Sequence, residues 1–183
     1  MSQKATTNSE GTHNHAHRTR RVRRDWLYKE SGLLNVTLTN CIVLQCVSCS
    51  AVTPVLPDIH AIKFPIAEAL VRQSGRLNGA ALRFFRKSLE MTSDEFATLL
   101  STTRVEVSRW ENDRVRMSGR RELQVRLEVI EKLLPRVSHL ASLREEIVAN
   151  MTRDYSPTAS VEPIVIDATP FYAVTGKAAI ATY

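Results

Sequence analysis

The sequence lacks any run of about 18 uninterrupted apolar residues, the minimum for a helix that crosses a membrane. The apolar stretch CIVLQCV at 41–47 is too short, and serine and proline residues interrupt the segment after it. The basic segment before it, RTRRVRR at 18–24, does not precede a clean apolar region with a small-residue cleavage site. We therefore expect a cytoplasmic protein that does not contact a membrane.

Cysteine is scarce, and its pattern excludes a secreted disulfide framework. The three cysteines, Cys41, Cys46 and Cys49, lie within nine residues of one another, and an odd number so closely spaced does not form such a framework. A tetrahedral zinc site needs four ligands. Cys41 and His60 could join Cys46 and Cys49 only if the fold brought all four together. The sequence therefore predicts no metal and no cofactor.

Catalytic motifs are also missing. The chain has no glycine-rich phosphate loop, no His-Glu-x-x-His, no nucleophile elbow and no paired acidic motif. Apart from His60 and His139, its histidines cluster near the N-terminus. We therefore expect no enzyme activity and assign no catalytic residue.

What the chain does have is a positive charge that is unevenly distributed. Its 183 residues include 25 Lys and Arg against 19 Asp and Glu, for a net charge of +6. The excess lies in residues 1–24 and 76–136, which favours an anionic partner. Residues 1–24 are polar without apolar periodicity, which predicts a disordered basic tail. Its arginines would either attract phosphates without sequence preference or simply be solvated.

The apolar patterning divides the rest of the chain into three segments. Residues 25–75 predict a small α/β module, with β-branched runs that form a hairpin and a helix that Asp58 caps. Residues 76–135 are strongly helical, and 136–183 add a last helix and a tail in which VEPIVIDA, at 161–168, indicates either a short strand or a docked segment. In the longest helix, four apolar residues at near-heptad spacing indicate either core packing or a dimer seam: Leu123, Leu127, Ile130 and Leu134.

Two short helices stand in the middle of the helical segment. Thr92 and Glu95 have capping-box spacing at the start of a helix over 92–100, and Thr102 or Thr103 can cap a second helix over 103–111. A short turn joins them, as in a helix-turn-helix, whose second helix enters the major groove of DNA.

Val107 and Trp110 are predicted to face the core. The predicted DNA contacts are Ser93, Thr102, Thr103, Arg104, Glu106, Ser108, Arg109 and Arg114. The alternative is an ordinary amphipathic helix with a solvated basic face.

The segment RFFRKSLEMTSDEFATLLSTTRVEVSRWENDRVRMS, at 83–118, resembles the lambda-repressor-like (XRE-type) DNA-binding domain, in particular that of MqsA-type antitoxins. YKESGLLNVTL and DIHAIKFPIAEALVR resemble the region that precedes it in that family. The resemblance implies a mainly α fold, with a five-helix helix-turn-helix domain after the α/β module. It also implies a sequence-specific regulator of double-stranded DNA, a homodimer that represses its own promoter. Alternatively, it implies an antitoxin whose N-terminal module binds a toxin.

The chain departs from this family at several positions. Asp113 stands where the family usually has glycine, at a point expected to need left-handed backbone geometry. Ser101 stands where the family's interhelical turn commonly starts with glycine, and we expect some backbone strain there. Ser93 replaces a common glutamine, which shortens a phosphate contact. Of the two Cys-x-x-Cys pairs that hold zinc in MqsA-like proteins, only Cys46 and Cys49 are present.

Overall fold

The computed structural model describes residues 18–133, 140–153 and 162–172. These residues form a four-stranded sheet and six α-helices, with short 3-10 turns at Lys29–Ser31 and Thr169–Phe171. The strands are β1 (Thr19–Leu27), β2 (Val36–Cys46), β3 (Val52–Pro54) and β4 (Ile164–Asp167). The helices are α1 (Ile59–Arg72), α2 (Gly79–Ser88), α3 (Ser93–Leu99), α4 (Arg104–Glu111), α5 (Gly119–Leu133) and α6 (Leu140–Arg153). Helices therefore dominate, as the sequence predicted.

Strand β2 is the centre of the sheet. It pairs antiparallel with β1 and β3 and parallel with β4. Val36, Leu38, Cys41 and Val43 on β2 are fully buried, while the residues between them are more exposed. This near-alternation is the pattern of a strand that buries one face. The predicted hairpin is present as β2 and β3, but the sheet is larger than that hairpin.

The prediction of a disordered tail over 1–24 was wrong for residues 19–24, which form most of β1. Arginines at alternating and adjacent positions hide the strand pattern, since along β1 only Val22 and Trp26 are withdrawn from solvent. The strand forms because the long β2 supplies a hydrogen-bonding partner from Thr19 to Leu27. Residues 1–17 lie outside the described part of the chain.

Helix α1 packs beside the sheet and starts where the sequence predicted. The Asp58 side chain accepts hydrogen bonds from the amides of His60, at 2.9 Å, and Ala61, at 3.2 Å. Both would otherwise lack a partner at a helix N-terminus. Ile62, Ile66 and other apolar residues of α1 are buried, and one hydrophobic core continues from the sheet through α1 into α2–α6.

Helix α5 faces the core differently from the prediction. Its buried side chains are Glu122, Val125, Arg126, Val129, Ile130 and Leu133. Leu123 and Leu127 pack only at the edge of the core, and Leu134 lies outside the described residues. The near-heptad spacing of apolar residues indicated the wrong buried face, because an arginine and a glutamate occupy the side of α5 that faces the core.

Arg126 and Glu122 form a buried ion pair at 2.8 Å. The Arg126 guanidinium also donates to the carbonyl oxygens of Leu70, Val71, Gln73 and Gly75 at 2.7–3.2 Å. Glu122 accepts from the amide of Leu77 at 2.9 Å. The pair therefore supplies hydrogen-bond partners to the backbone at the end of α1 and in the linker after it. It also joins the α/β module to the helical segment.

The C-terminal part closes the fold. Leu143 and Ile147 of α6 are buried, and β4 confirms the first of the two alternatives for VEPIVIDA, a short strand. Beyond β4, the Tyr172 hydroxyl donates to the carbonyl of Val55 at 2.7 Å and accepts from the amide of Ile42 at 3.0 Å. In the described part of the chain, no helix combines the length and the apolarity needed to cross a membrane.

Candidate nucleic-acid interface

Helices α3 and α4 are short, and each begins at a threonine cap. The Thr92 hydroxyl accepts from the amide of Glu95 at 3.2 Å, and the Glu95 carboxylate accepts from the amide of Thr92 at 2.7 Å. This is the predicted capping box. Thr103 caps α4 by accepting from the amide of Glu106 at 3.2 Å. The caps set the first residue of each helix, and the Thr103 cap also sets where the turn between the two helices ends.

The turn between α3 and α4 is a Schellman motif. The amide of Ser101 bonds to the carbonyl of Thr98 at 3.0 Å, and that of Thr102 to the carbonyl of Ala97 at 2.9 Å. Ser101 has φ 49°, a left-handed geometry that costs a residue with a Cβ more than it costs glycine, so the expected strain lies at this residue. Arg121 of α5 donates to the carbonyls of Leu100 and Ser101, which fixes the turn against the helix behind it.

The inner face of α4 anchors it to α2. Val107 is fully buried and Trp110 nearly so, as predicted. Glu111, whose side chain is 7% exposed, accepts from Arg86 at 2.6 and 3.1 Å. This hydrogen bonding to the carboxylate raises the pKa of Arg86. The sequence analysis did not predict this pair. The residues that could have indicated it are the two arginines three positions apart in RFFRKSL and the glutamate of VSRWEN.

The end of α4 forms a second Schellman motif. The amide of Asp113 bonds to the carbonyl of Trp110 at 3.0 Å, and that of Arg114 to the carbonyl of Arg109 at 2.9 Å. Asp113 has φ 53°, as the sequence predicted, and its side chain accepts from the amide of Gly79 at 2.9 Å. The aspartate therefore tolerates the left-handed position and also bonds the start of α2.

The outer face of α4 is open to solvent. Most of the predicted contact residues lie exposed on this face or just beside it: Thr103, Arg104, Glu106, Ser108, Arg109 and Arg114. Thr102 and Ser93 are half-buried. Val105 was not among the predicted contacts, yet it is 58% exposed. The structure thus gathers two arginines, a glutamate, a serine and a valine on the solvent-exposed side of one short helix.

Several of these groups already have partners within the chain. Arg104 pairs with Asp94 of α3 at 3.5 Å, and both side chains are mostly exposed. The Thr102 hydroxyl donates to the Glu106 carboxylate. This bond is the main cause that lowers the pKa of Glu106, and the positive charges of Arg121 and Arg109 add to it. Glu106 is therefore an anion beside the arginines at neutral pH.

The cysteines lie in and after β2. Cys41 and Cys46 are buried, and Cys49 is exposed. Within residues 18–133, 140–153 and 162–172, no group of three or more His, Cys, Asp or Glu side chains could hold a metal ion. His60 is exposed near the start of α1. The expectation that the chain binds no metal stays a prediction.

No protein-family profile matches the chain. No curated protein matches it significantly, and neither does any solved structure. Its function is therefore inferred from the geometry and chemistry of α3, α4 and their supports.

Proposed function

We propose that the chain binds double-stranded DNA sequence-specifically through a helix-turn-helix unit made of α3 and α4. The observation that carries the proposal is the division of α4 into two faces. Val107 and Trp110 are buried, whereas Ser108 and Arg109 are exposed on the far side of the helix and Arg104 is exposed at its first turn. A helix fits the major groove, and its outward side chains can then reach the base edges.

The chemistry of the outer face suits base recognition. An arginine can donate two parallel hydrogen bonds to O6 and N7 of guanine, and a serine hydroxyl can bond to a base or a phosphate. Arg104, Ser108 and Arg109 would have these roles, while Arg114 would contact the backbone just beyond the helix. Ser93, at the start of α3, would approach a phosphate near a helix N-terminus, where backbone amides favour anions.

The supports of α4 favour a rigid presentation. The Arg86–Glu111 pair holds α4 against α2, the Thr103 cap fixes its first turn, and Arg121 holds the turn that precedes it. Within this proposal α2–α6 are the five helices of a lambda-repressor-like domain. From the resemblance we further propose a homodimer that represses the chain's own promoter. A two-fold symmetric site with half-sites one helical turn apart would match such a dimer. Toxin binding by the N-terminal module stays a prediction from the resemblance.

A binding selection tests the proposal. The full-length chain would be used to enrich duplexes from a random library, and the selected and scrambled duplexes would then be titrated by fluorescence polarisation. We expect the selected duplex to bind at least tenfold tighter at moderate salt. Equal binding of both duplexes would overturn sequence-specific recognition.

Matched variants separate base contacts from charge. Arg104→Ala or Arg109→Ala should cost about 1–3 kcal/mol on the selected duplex if the arginine reads a base. Arg144→Ala removes the same charge from an exposed position on α6 and should leave the preference unchanged. If all three variants lose binding equally on selected and scrambled duplexes, the arginines contribute only nonspecific attraction.

A further inference from the structure

Val105 occupies the middle of the outer face of α4. A helix turns about 100° per residue, so Val105 lies between Ser108 and Arg109 around the helix axis, with Arg104 beyond Ser108. The buried Val107 and Trp110 point to the opposite side. The valine is therefore surrounded by the polar groups that the proposed function assigns to base contact.

Val105 is one of several exposed apolar residues in the described part of the chain. Its side chain is 58% exposed, whereas Val107, two residues later on the same helix, is fully buried. Single exposed apolar residues are common on protein surfaces. Here the position matters, because Val105 is the second residue of α4 and N-terminal residues of a recognition helix contact base edges.

We infer that Val105 contacts the C5-methyl group of a thymine in the major groove and so helps determine the bound sequence. This inference rests on the proposed function. Thymine presents a methyl group there, and small apolar side chains are its recognised partners. A valine in a helix also keeps one χ1 rotamer in about 90% of cases. Its two methyl groups are therefore held in place before binding.

The expected size of the effect depends on the area involved. Removing one methyl group from a dry contact changes an equilibrium constant about fourfold. The effect should appear at one thymine per half-site, since one side chain reaches one base pair. It should also be independent of salt concentration, because no charge is involved, unlike contacts made by the neighbouring arginines.

The test replaces thymine with deoxyuridine, which lacks only the methyl group and pairs identically. Each thymine of the duplex selected by the full-length chain would be replaced in turn, and affinity measured by fluorescence polarisation. We expect the wild-type chain to lose about fourfold at one position in each half-site. Val105→Ala, which removes two methyl groups, should bind the thymine duplex at least about fourfold more weakly and lose its sensitivity to deoxyuridine at that same position.

Val115→Ala is the matched control, because Val115 is 48% exposed but lies beyond the end of α4. It should retain the deoxyuridine penalty. A Val105→Ala variant with an undiminished penalty at every position would overturn the inference, and so would a wild-type chain without any penalty. If the chain distinguishes no selected duplex from a scrambled one, the proposed function itself fails, and this inference with it. Selective binding without the thymine effect removes only the inference.

Discussion

Asp113 accepts a hydrogen bond from the backbone amide of Gly79 at 2.9 Å, which ties the second residue after α4 to the first residue of α2. The two helices approach so closely here that a Cβ on Gly79 would lie 2.4 Å from the carbonyl oxygen of Glu111. The atoms that such a Cβ would meet belong to the backbone, which cannot rotate away. The orientation of α4 therefore depends on a glycine in another helix.

Gly79→Ala should lower the free energy of unfolding by about 2–3 kcal/mol, because the methyl group overlaps the α4 backbone. Urea denaturation monitored by circular dichroism would measure the loss. Gly32→Ala is the control, since Gly32 has φ 77° and open space around it. This control should lower the free energy of unfolding by only about 1–2 kcal/mol, the cost of holding an alanine in a left-handed conformation. A larger loss at Gly32 than at Gly79 would contradict the close approach of the two helices.

Ser101→Gly should raise the free energy of unfolding by about 1 kcal/mol, because glycine adopts the left-handed geometry of the turn without a Cβ penalty. Asp113→Gly relieves the same penalty but removes the bond to Gly79, so it should bring no gain. Thermal unfolding of both variants would separate the two effects. A similar gain at both positions would show that the Asp113–Gly79 bond contributes nothing to stability.

Local signals explain which parts of this fold were predictable. Asp58, Thr92 and Thr103 cap helices through bonds to residues two or three positions away, so sequence spacing alone located α1, α3 and α4. The inner face of α4 was predictable from Val107 and Trp110 at helical spacing. The positive φ of Asp113 was also foreseeable from the residue type.

Features that depend on distant partners were not predictable. Strand β1 exists because β2 pairs with it, and its own residues show little apolar alternation. Arg126 is buried because carbonyl oxygens at the end of α1, more than fifty residues earlier, surround it. Without those partners, which the sequence does not reveal, a charged residue on a helix predicts a solvent-exposed face.

Arg126→Met should lower the free energy of unfolding by about 3–5 kcal/mol, because it leaves the buried Glu122 carboxylate without its cation. The carbonyls at the end of α1 would also lose their donor. Chemical denaturation is the measurement. Arg120→Met, at an exposed position of the same helix, should change stability by less than about 0.5 kcal/mol. A loss as small for Arg126→Met would contradict the structural role of the pair.

Stability in acid should depend on Glu95. Hydrogen bonds from the amide and hydroxyl of Thr92 lower the pKa of this carboxylate. The stability that the ionised Glu95 side chain contributes is therefore fully present above the ordinary glutamate pKa. It is lost as the pH falls through the lowered pKa that this carboxylate has in the folded protein. Glu95→Gln keeps an acceptor at the cap but does not titrate.

Glu95→Gln should accordingly lose less stability than the wild type as the pH falls below about 5. Melting temperatures over a pH series would show the difference. Glu145→Gln, on the exposed surface of α6, should retain the wild-type slope. Identical acid profiles for all three chains would exclude the capping box as a source of the acid sensitivity.

Asp94→Asn should strengthen DNA binding about two- to fivefold, the range of an exposed ion pair. Asp94 pairs with Arg104 at 3.5 Å, so its charge competes with DNA for the arginine. The substitution frees Arg104 and removes an anion that repels phosphates. Polarisation titrations with the selected duplex would measure the gain, which should shrink as salt screens both charges.

Two further variants locate the source of that gain. Glu145→Gln removes the same charge from α6 and should have a much smaller effect, because it lies on another helix. In an Arg104→Ala background, Asp94→Asn should retain only the part due to phosphate repulsion. An equal gain with and without Arg104 would show that the pair does not regulate the arginine, and an unchanged affinity in both backgrounds would place α3 away from the DNA.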